Sequence, residues 1–192
     1  MTRHLLYPAA LFVLLFALCG FVLWLQFGRP SLSSLLRPQT SNDFISIENE
    51  HPVIRVGILS EQKLTFLKNY IQATYPHRPV AKVKIIITNV PQRVNYAWEN
   101  VNDQPVFYAG YNSFFIEPDT IQVNLFLNHD RLQQAKWTTA NVANELELLL
   151  YSGLVIQFQT SANMFDPDTT AKQMKTNIDA ATAGSVFSVH YD

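Results

Sequence analysis

Hydrophobic and polar positions change rhythm twice along this chain. From Leu5 to Phe27 a run of 23 residues carries no Asp, Glu, Lys or Arg. A helix of that length rises about 35 Å at about 1.5 Å per residue, enough to cross a hydrocarbon core of about 30 Å. Residues 1–28 are therefore expected to form a transmembrane signal anchor. The pattern then breaks: Arg29-Pro30-Ser31-Leu32-Ser33-Ser34 and Arg37-Pro38-Gln39-Thr40-Ser41-Asn42 mix Pro, Ser and polar groups without periodic apolar content. This composition predicts a flexible stalk over residues 29–49, with Leu32, Leu35 and Leu36 as a short interfacial foothold.

Beyond the stalk the periodicity switches between strand and helix. Val53 to Leu59 is a short apolar run suited to a buried strand. Ser60 then stands where an N-cap belongs, with Glu61 in the first turn and Leu64, Leu67 and Ile71 on one helical face until Pro76 ends it. The β-branched run through Val83, Ile85, Ile86 and Ile87 predicts a strand over Ala81 to Thr88. A hairpin follows, Tyr111 to Ile116 against Ile121 to Leu127, with Pro118 and Asp119 as turn residues. Its second arm alternates an apolar face (Ile121, Val123, Leu125, Leu127) with a mixed one, as in a strand near a sheet edge.

Thr138 or Thr139 caps the next helix, which runs to about Gln159. Val142, Leu146, Leu149, Gly153 and Ile156 share one face, widened by Leu148, Leu150, Leu154 and Val155, so this helix is expected in the core. Its uninterrupted apolar part is about ten residues, short of the roughly 20 that span a bilayer. Asp168 to Ala183 predicts a further helix and Ser185 to Tyr191 a closing strand. The fold class is thus α+β: one transmembrane helix, then a small mixed sheet packed on a buried apolar helix, the domain occupying residues 50–192.

Composition narrows the partners. Fourteen basic against fifteen acidic side chains, without runs of like charge, leave no electrostatic footprint for nucleic acid. Cys19 is the single cysteine and falls inside the apolar run, so the domain holds no disulfide and no thiol nucleophile. A cleaved signal peptide competes with the anchor because Ala17 and Cys19 are small, but the apolar run continues through Trp24 and Leu25. Arg3 on one side against Arg29 and Arg37 on the other leaves the positive-inside comparison nearly balanced. The four-residue head before the apolar core favours a domain facing outside the cytoplasm.

One motif carries candidate chemistry. Val142-Ala143-Asn144-Glu145-Leu146-Glu147-Leu148-Leu149-Leu150 resembles the active-site helix of zincin metallopeptidases, whose core is His-Glu-x-x-His. In that motif two His one turn apart hold Zn²⁺ and the Glu activates the metal-bound water. Here Glu145 occupies the Glu position, while Asn144 and Leu148 replace both His. The order strand, helix, strand, hairpin, motif helix extends the resemblance over about Val53 to Gln159. It requires the motif helix to lie beneath a sheet with Asn144 and Leu148 facing a cleft, and it implies a framework without catalytic zinc. None of His4, His51, His77, His129 and His190 forms a pair four residues apart, and no Glu follows Glu147. On the helical wheel Glu145 turns toward the apolar side and Glu147 toward solvent, so Glu145 needs a buried partner or a raised pKa.

Other constellations are thinner. His129 and Asp130 at a strand end read as the start of a helix capped by Asp130. Ser152-Gly153 lacks the Gly-x-Ser-x-Gly nucleophile elbow. Tyr96, Trp98, Tyr108 and Tyr111 lie in an aromatic-rich stretch that can line a groove for peptide or glycan or fill a core. The expectation is a single-pass, membrane-anchored interaction or scaffold domain without catalytic residue, metal or cofactor, partnered by the membrane and a protein. A membrane-bound metallopeptidase or hydrolase and a bitopic component of a secretion or division assembly are the alternatives.

Overall fold

The computed structural model describes residues 39–90, 98–101, 104–158 and 166–191, with the backbone alone for 98–101 and 104–107. The folded unit runs from Pro38 to Asp192.

Its centre is a four-stranded mixed sheet. Strands β1 (Ile45–Asn49), β3 (Lys82–Thr88) and β7 (Thr120–Leu127) run parallel, and β6 (Ala109–Glu117) pairs antiparallel with β7 at the edge. Strand β2 (Ile54–Ile58) leaves this sheet and pairs antiparallel with β8 (Phe187–Tyr191), while β4 (Trp98–Val101) and β5 (Gln104–Phe107) form a separate hairpin. Four helices accompany them: α1 (Glu61–Thr74), α2 (His129–Gln134), α3 (Thr139–Phe158) and α4 (Pro167–Ala181).

The local rules act as expected at most boundaries. Ser60 caps α1 by accepting from the Lys63 amide, and Leu64, Leu67 and Ile71 are buried on its inner face. Pro167 opens α4 with Asp166 as its cap. Pro118 and Asp119 turn the β6–β7 hairpin.

The sequence reading is corrected in four places. First, among the described residues no helix is long and apolar enough to cross a membrane. The described fold is α+β with a mixed sheet on a buried helix and no spanning element, and the apolar run Leu5 to Phe27 lies outside the described residues. Second, Ile45–Asn49, assigned to the stalk, is a strand, and the residues before it are stitched on: Ile47 N–H donates to Thr40 O at 2.6 Å and Ile58 N–H to Gln39 O at 2.7 Å. The alternation Ile45, Ser46, Ile47, Glu48 is a strand signal, but it is only two periods long and follows a Pro/Ser-rich segment. Third, β7 lies one strand in from the edge, next to β6, but its mixed face is buried as well as its apolar one. Its mixed face tolerates burial because Gln122 donates to Asn124 along the strand at 2.9 Å, satisfying polar groups locally. Fourth, α2 is capped by Asn128, with Asp130 in the first turn instead of at the cap.

Helix α3 lies against β6 and β7 on one side and α4 and β8 on others. Val142, Leu146, Leu150, Leu154 and Val155 are fully buried. Burying each such side chain stabilises the fold by about 1.5–3 kcal/mol, so α3 is the core's main apolar contributor.

Candidate functional site

Of the two glutamates of α3, Glu147 does not turn to solvent as the helical wheel predicts. Glu147 is fully buried, and Glu145 is partly exposed beside a cavity. The reason is that α3 is covered on nearly all sides, so the face opposite its apolar stripe meets α1, α4 and β8 instead of water.

Glu147 there closes a complete polar network. Lys63 of α1 reaches it at 2.7 Å, with both side chains fully buried. The other two Lys63 N–H groups donate to Asp179 of α4 and to Gly184 O. Tyr151 donates to Glu147 Oε1 at 2.8 Å, and Ser185 Oγ and Val186 N–H donate to Oε2 at 3.1 and 3.2 Å. Burial pulls the Lys63 ammonium down, but its bonds to Asp179 and Glu147 outweigh this and hold its pKa above the ordinary lysine value. Asp179 is held low against its own partial burial by Lys175 and Lys63. Every donor of Lys63 is spent inside the protein, so the Lys63–Glu147 pair at the centre of this cluster holds the fold together.

The cavity on the other side of α3 is different. It encloses about 250 Å³ and is lined by Tyr108, Tyr111, Glu145, Leu148, Leu149, Ser152, Asp168 and Lys172. Glu145, Leu148, Leu149 and Ser152 fall at helical spacings of three and four, which puts them on one face of α3. Tyr111 comes from edge strand β6, Tyr108 from just before it, and Asp168 and Lys172 from successive turns of α4. Ser152 Oγ donates to Asp168 Oδ1 at 2.9 Å and the Tyr111 hydroxyl to the same atom at 3.4 Å. Burial and the Asp168 charge push the Tyr111 phenol well above its ordinary value, so it stays a neutral donor.

Glu145 makes no hydrogen bond or ion pair with a described residue. Burial and then the Asp168 charge raise its carboxyl above the usual value of 4.5, and Lys172 opposes them. Of the two outcomes its position allows, a buried partner or a raised pKa, the second is realised. The sign of the consequence follows: a raised folded pKa favours the protonated fold, so this stability is fully present below pH 4.5 and lost as pH rises through the folded pKa. Glu145→Gln is therefore expected to stabilise the protein at neutral pH and to lose that advantage in acid, which urea titrations at pH 7 and pH 4 will measure.

The predicted site residues divide. Glu145 and Leu148 of the motif meet Tyr108 and Tyr111 of the aromatic stretch in this one cavity. Asn144 is exposed and does not line it. Tyr96 lies outside the described residues; Trp98 sits on β4, where only the backbone register against Phe107 is described. Asp168, Lys172 and Ser152 were not identified as site residues. An Asp–Lys spacing of four on a predicted helix was visible, but nothing local in the sequence brings α4 to α3.

The residues at the motif's two ligand positions do not suit zinc. Leu148 offers no donor atom, and among the described residues no three His, Cys, Asp or Glu converge as a metal-holding group.

A third polar cluster lies at the carboxyl ends of the parallel strands. His51 accepts from the Val53 and Ile54 amides at Nδ1 and bonds Leu127 O through Nε2 at 3.2 Å, with the His129 ring 6.2 Å away. Nδ1 thus accepts and Nε2 carries the proton. Burial lowers its pKa below 6.5, so stability from this ring is present above pH 6.5 and lost as pH falls through the depressed value. His51→Asn is expected to flatten the stability profile over that window.

Comparison with protein-family models, curated proteins and solved structures gives no match for this chain.

Proposed function

We propose that this chain is a non-enzymatic recognition domain held beside a membrane, with the cavity between α3, α4 and β6 as its recognition site. The carrying observation is Glu145, a carboxylate set in a half-enclosed, aromatic-lined cavity without an internal partner. Such a group destabilises its own fold, and a ligand that satisfies it recovers the loss. The apolar run Leu5 to Phe27 supports attachment to the membrane, and the small folded unit after it suits a protein partner. Binding is favoured over catalysis because the Ser152 hydroxyl donates to Asp168 and none of the described residues lining the cavity is a His or Cys that could make it a nucleophile. The zincin resemblance needs Asn144 and Leu148 to face one cleft together; Leu148 does and Asn144 does not, so the resemblance lends this proposal no support.

A second reading has one observation in its favour. Glu145 with a raised pKa beside Asp168 is the pairing of acid and carboxylate that hydrolases use.

A photo-crosslinking residue at Leu148, compared with one at exposed Gln173, separates the readings in full-length chain carried in its native membrane. A discrete product from position 148 alone is expected. No product at 148 overturns the recognition reading. Stoichiometric zinc in the purified full chain, or a crosslinked partner cleaved by the native chain and spared by Glu145→Gln, turns the assignment to a hydrolase.

A further inference from the structure

Resting on the reading of this cavity as a recognition site, we infer that its occupant is a cationic group, an alkylammonium or guanidinium, presented as the side chain of a partner polypeptide. Three features of the lining select that chemistry.

The acceptors are in excess. Glu145 and Asp168 contribute two carboxylates against the single cation Lys172. Asp168 Oδ1 is occupied by Ser152 and Tyr111, whereas among the described residues nothing donates to Oδ2 or to the Glu145 carboxylate. An anion entering here meets two like charges, and a neutral polar group leaves Glu145 without a counter-charge. A cation satisfies both acceptors through charge-assisted hydrogen bonds.

The walls suit a long stem with a charged tip. Leu148 and Leu149 give apolar surface for methylenes, and Tyr108 and Tyr111 add aromatic rings beside the carboxylates. Lysine and arginine side chains combine these two demands; a metal ion uses only one of them. Tyr111 is also held in place, its hydroxyl bonded to Asp168 and the residue 7 % exposed.

The resident cation is displaceable. Lys172 is exposed, so its ammonium can turn into solvent when another cation enters. In the free protein a proton competes for the same place: burial and Asp168 favour protonated Glu145 and Lys172 opposes it. Binding a cation therefore releases a proton, and affinity rises with pH through the titration of Glu145. The groups facing it are Asp168 and Lys172 from α4, Ser152 from its own helix, and Tyr111 and Tyr108 from β6 and the residue before it; Asp166 acts on Tyr111 as well.

The test uses full-length chain in nanodiscs with four capped amino acids as probes: Nα-acetyl methylamides of lysine, arginine, norleucine and citrulline. Free n-butylamine serves as the small-amine arm. Saturable shifts of the Tyr111 ring resonances are expected with the lysine or arginine probe, with norleucine and citrulline about tenfold weaker or more. Affinity should increase from pH 4.5 to pH 7, fall by about tenfold or more in Glu145→Gln, and increase in Lys172→Met. Equal binding of lysine and norleucine, or of arginine and citrulline, overturns the cationic occupant while crosslinking at Leu148 still upholds the recognition site. Crosslinking at Leu148 with no cationic probe bound overturns it too. Butylamine binding more tightly than capped lysine overturns the polypeptide source and assigns a free amine. Loss of crosslinking as well as probe binding removes the recognition reading itself.

Discussion

Glu147→Leu is expected to cost about 3–5 kcal/mol, the range for removing one partner of a buried ion pair and leaving the other charge uncompensated. Lys63 and Glu147 are both fully buried, and the substitution also strips the acceptor from Tyr151, Ser185 and the Val186 amide. Against a typical total stability of about 5–15 kcal/mol, that loss leaves little margin. The compensated variant discriminates charge from packing. Lys63→Met combined with Glu147→Leu removes both ions and should recover most of the loss, because Asp179 keeps Lys175 at 2.6 Å and is partly exposed. A residual cost of about 1–3 kcal/mol for each stranded group is expected from the Tyr151 hydroxyl and the Val186 amide, and adding Tyr151→Phe should remove only the hydroxyl's share. Urea denaturation of the single, double and triple variants measures each step. A single-variant loss under about 1 kcal/mol, the range of surface pairs, would mean that this pair is not desolvated in solution.

The same network sets stability at both ends of the pH scale. The raised Lys63 pKa gives stability fully present below pH 10.5 and lost as pH rises through the folded value. The lowered Asp179 pKa gives stability present above pH 3.8 and lost as pH falls through the folded value. Lys63→Met with Glu147→Leu should therefore weaken the alkaline limb more than the acid limb, since Lys175 continues to hold Asp179 low.

How far this cluster was legible depends on what periodicity measures. The apolar stripe of α3 and its place in the core followed from Val142, Leu146 and Leu149, and the strands β2, β3, β6, β7 and β8 followed from alternation and turn chemistry. The direction of Glu147 did not. A moment along one helix says which side is most apolar, but it does not say that the other side is water, and α3 is packed by α1, α4 and β8 there. A buried lysine in α1 is invisible in the same way: Lys63 looks like a solvated first-turn residue until Asp179 and Gly184, more than a hundred residues later, are brought to it. The cavity was half legible. Glu145, Leu148, Tyr108 and Tyr111 were singled out for separate reasons, and only the packing of α4 and β6 on α3 joins them with Asp168 and Lys172.

That packing depends on Gly153, and Gly153→Val is the second substitution expected to have a large effect. A Cβ at this position would stand 2.7 Å from Val123 Cγ1 on β7, so Val123 or the helix must shift, and Ser113 and Tyr111 on β6 are already in van der Waals contact at 3.6 Å. Overpacking of this kind costs about 1–3 kcal/mol, and the stiff Val123 side chain cannot swing aside. The helix propensity gained on replacing glycine, about 1 kcal/mol for alanine and less for valine, offsets only part of it. The contact also fixes position: Ser113 Oγ donates to Gly153 O at 2.6 Å and Gln157 to Ser113 O at 2.7 Å, tying α3 to the edge strand beside Ser152 and two residues from Tyr111 along β6. Pushing the helix off the strand therefore widens the cavity that Glu145, Ser152 and Tyr111 line. Gly153→Val should lower the melting temperature and weaken the lysine probe together. Val123→Ala with Gly153→Ala supplies the control, because removing Cγ1 makes room for the new methyl. A favourable coupling between the two substitutions and restored probe binding are expected, and additive losses would show that the close approach does not set the helix position.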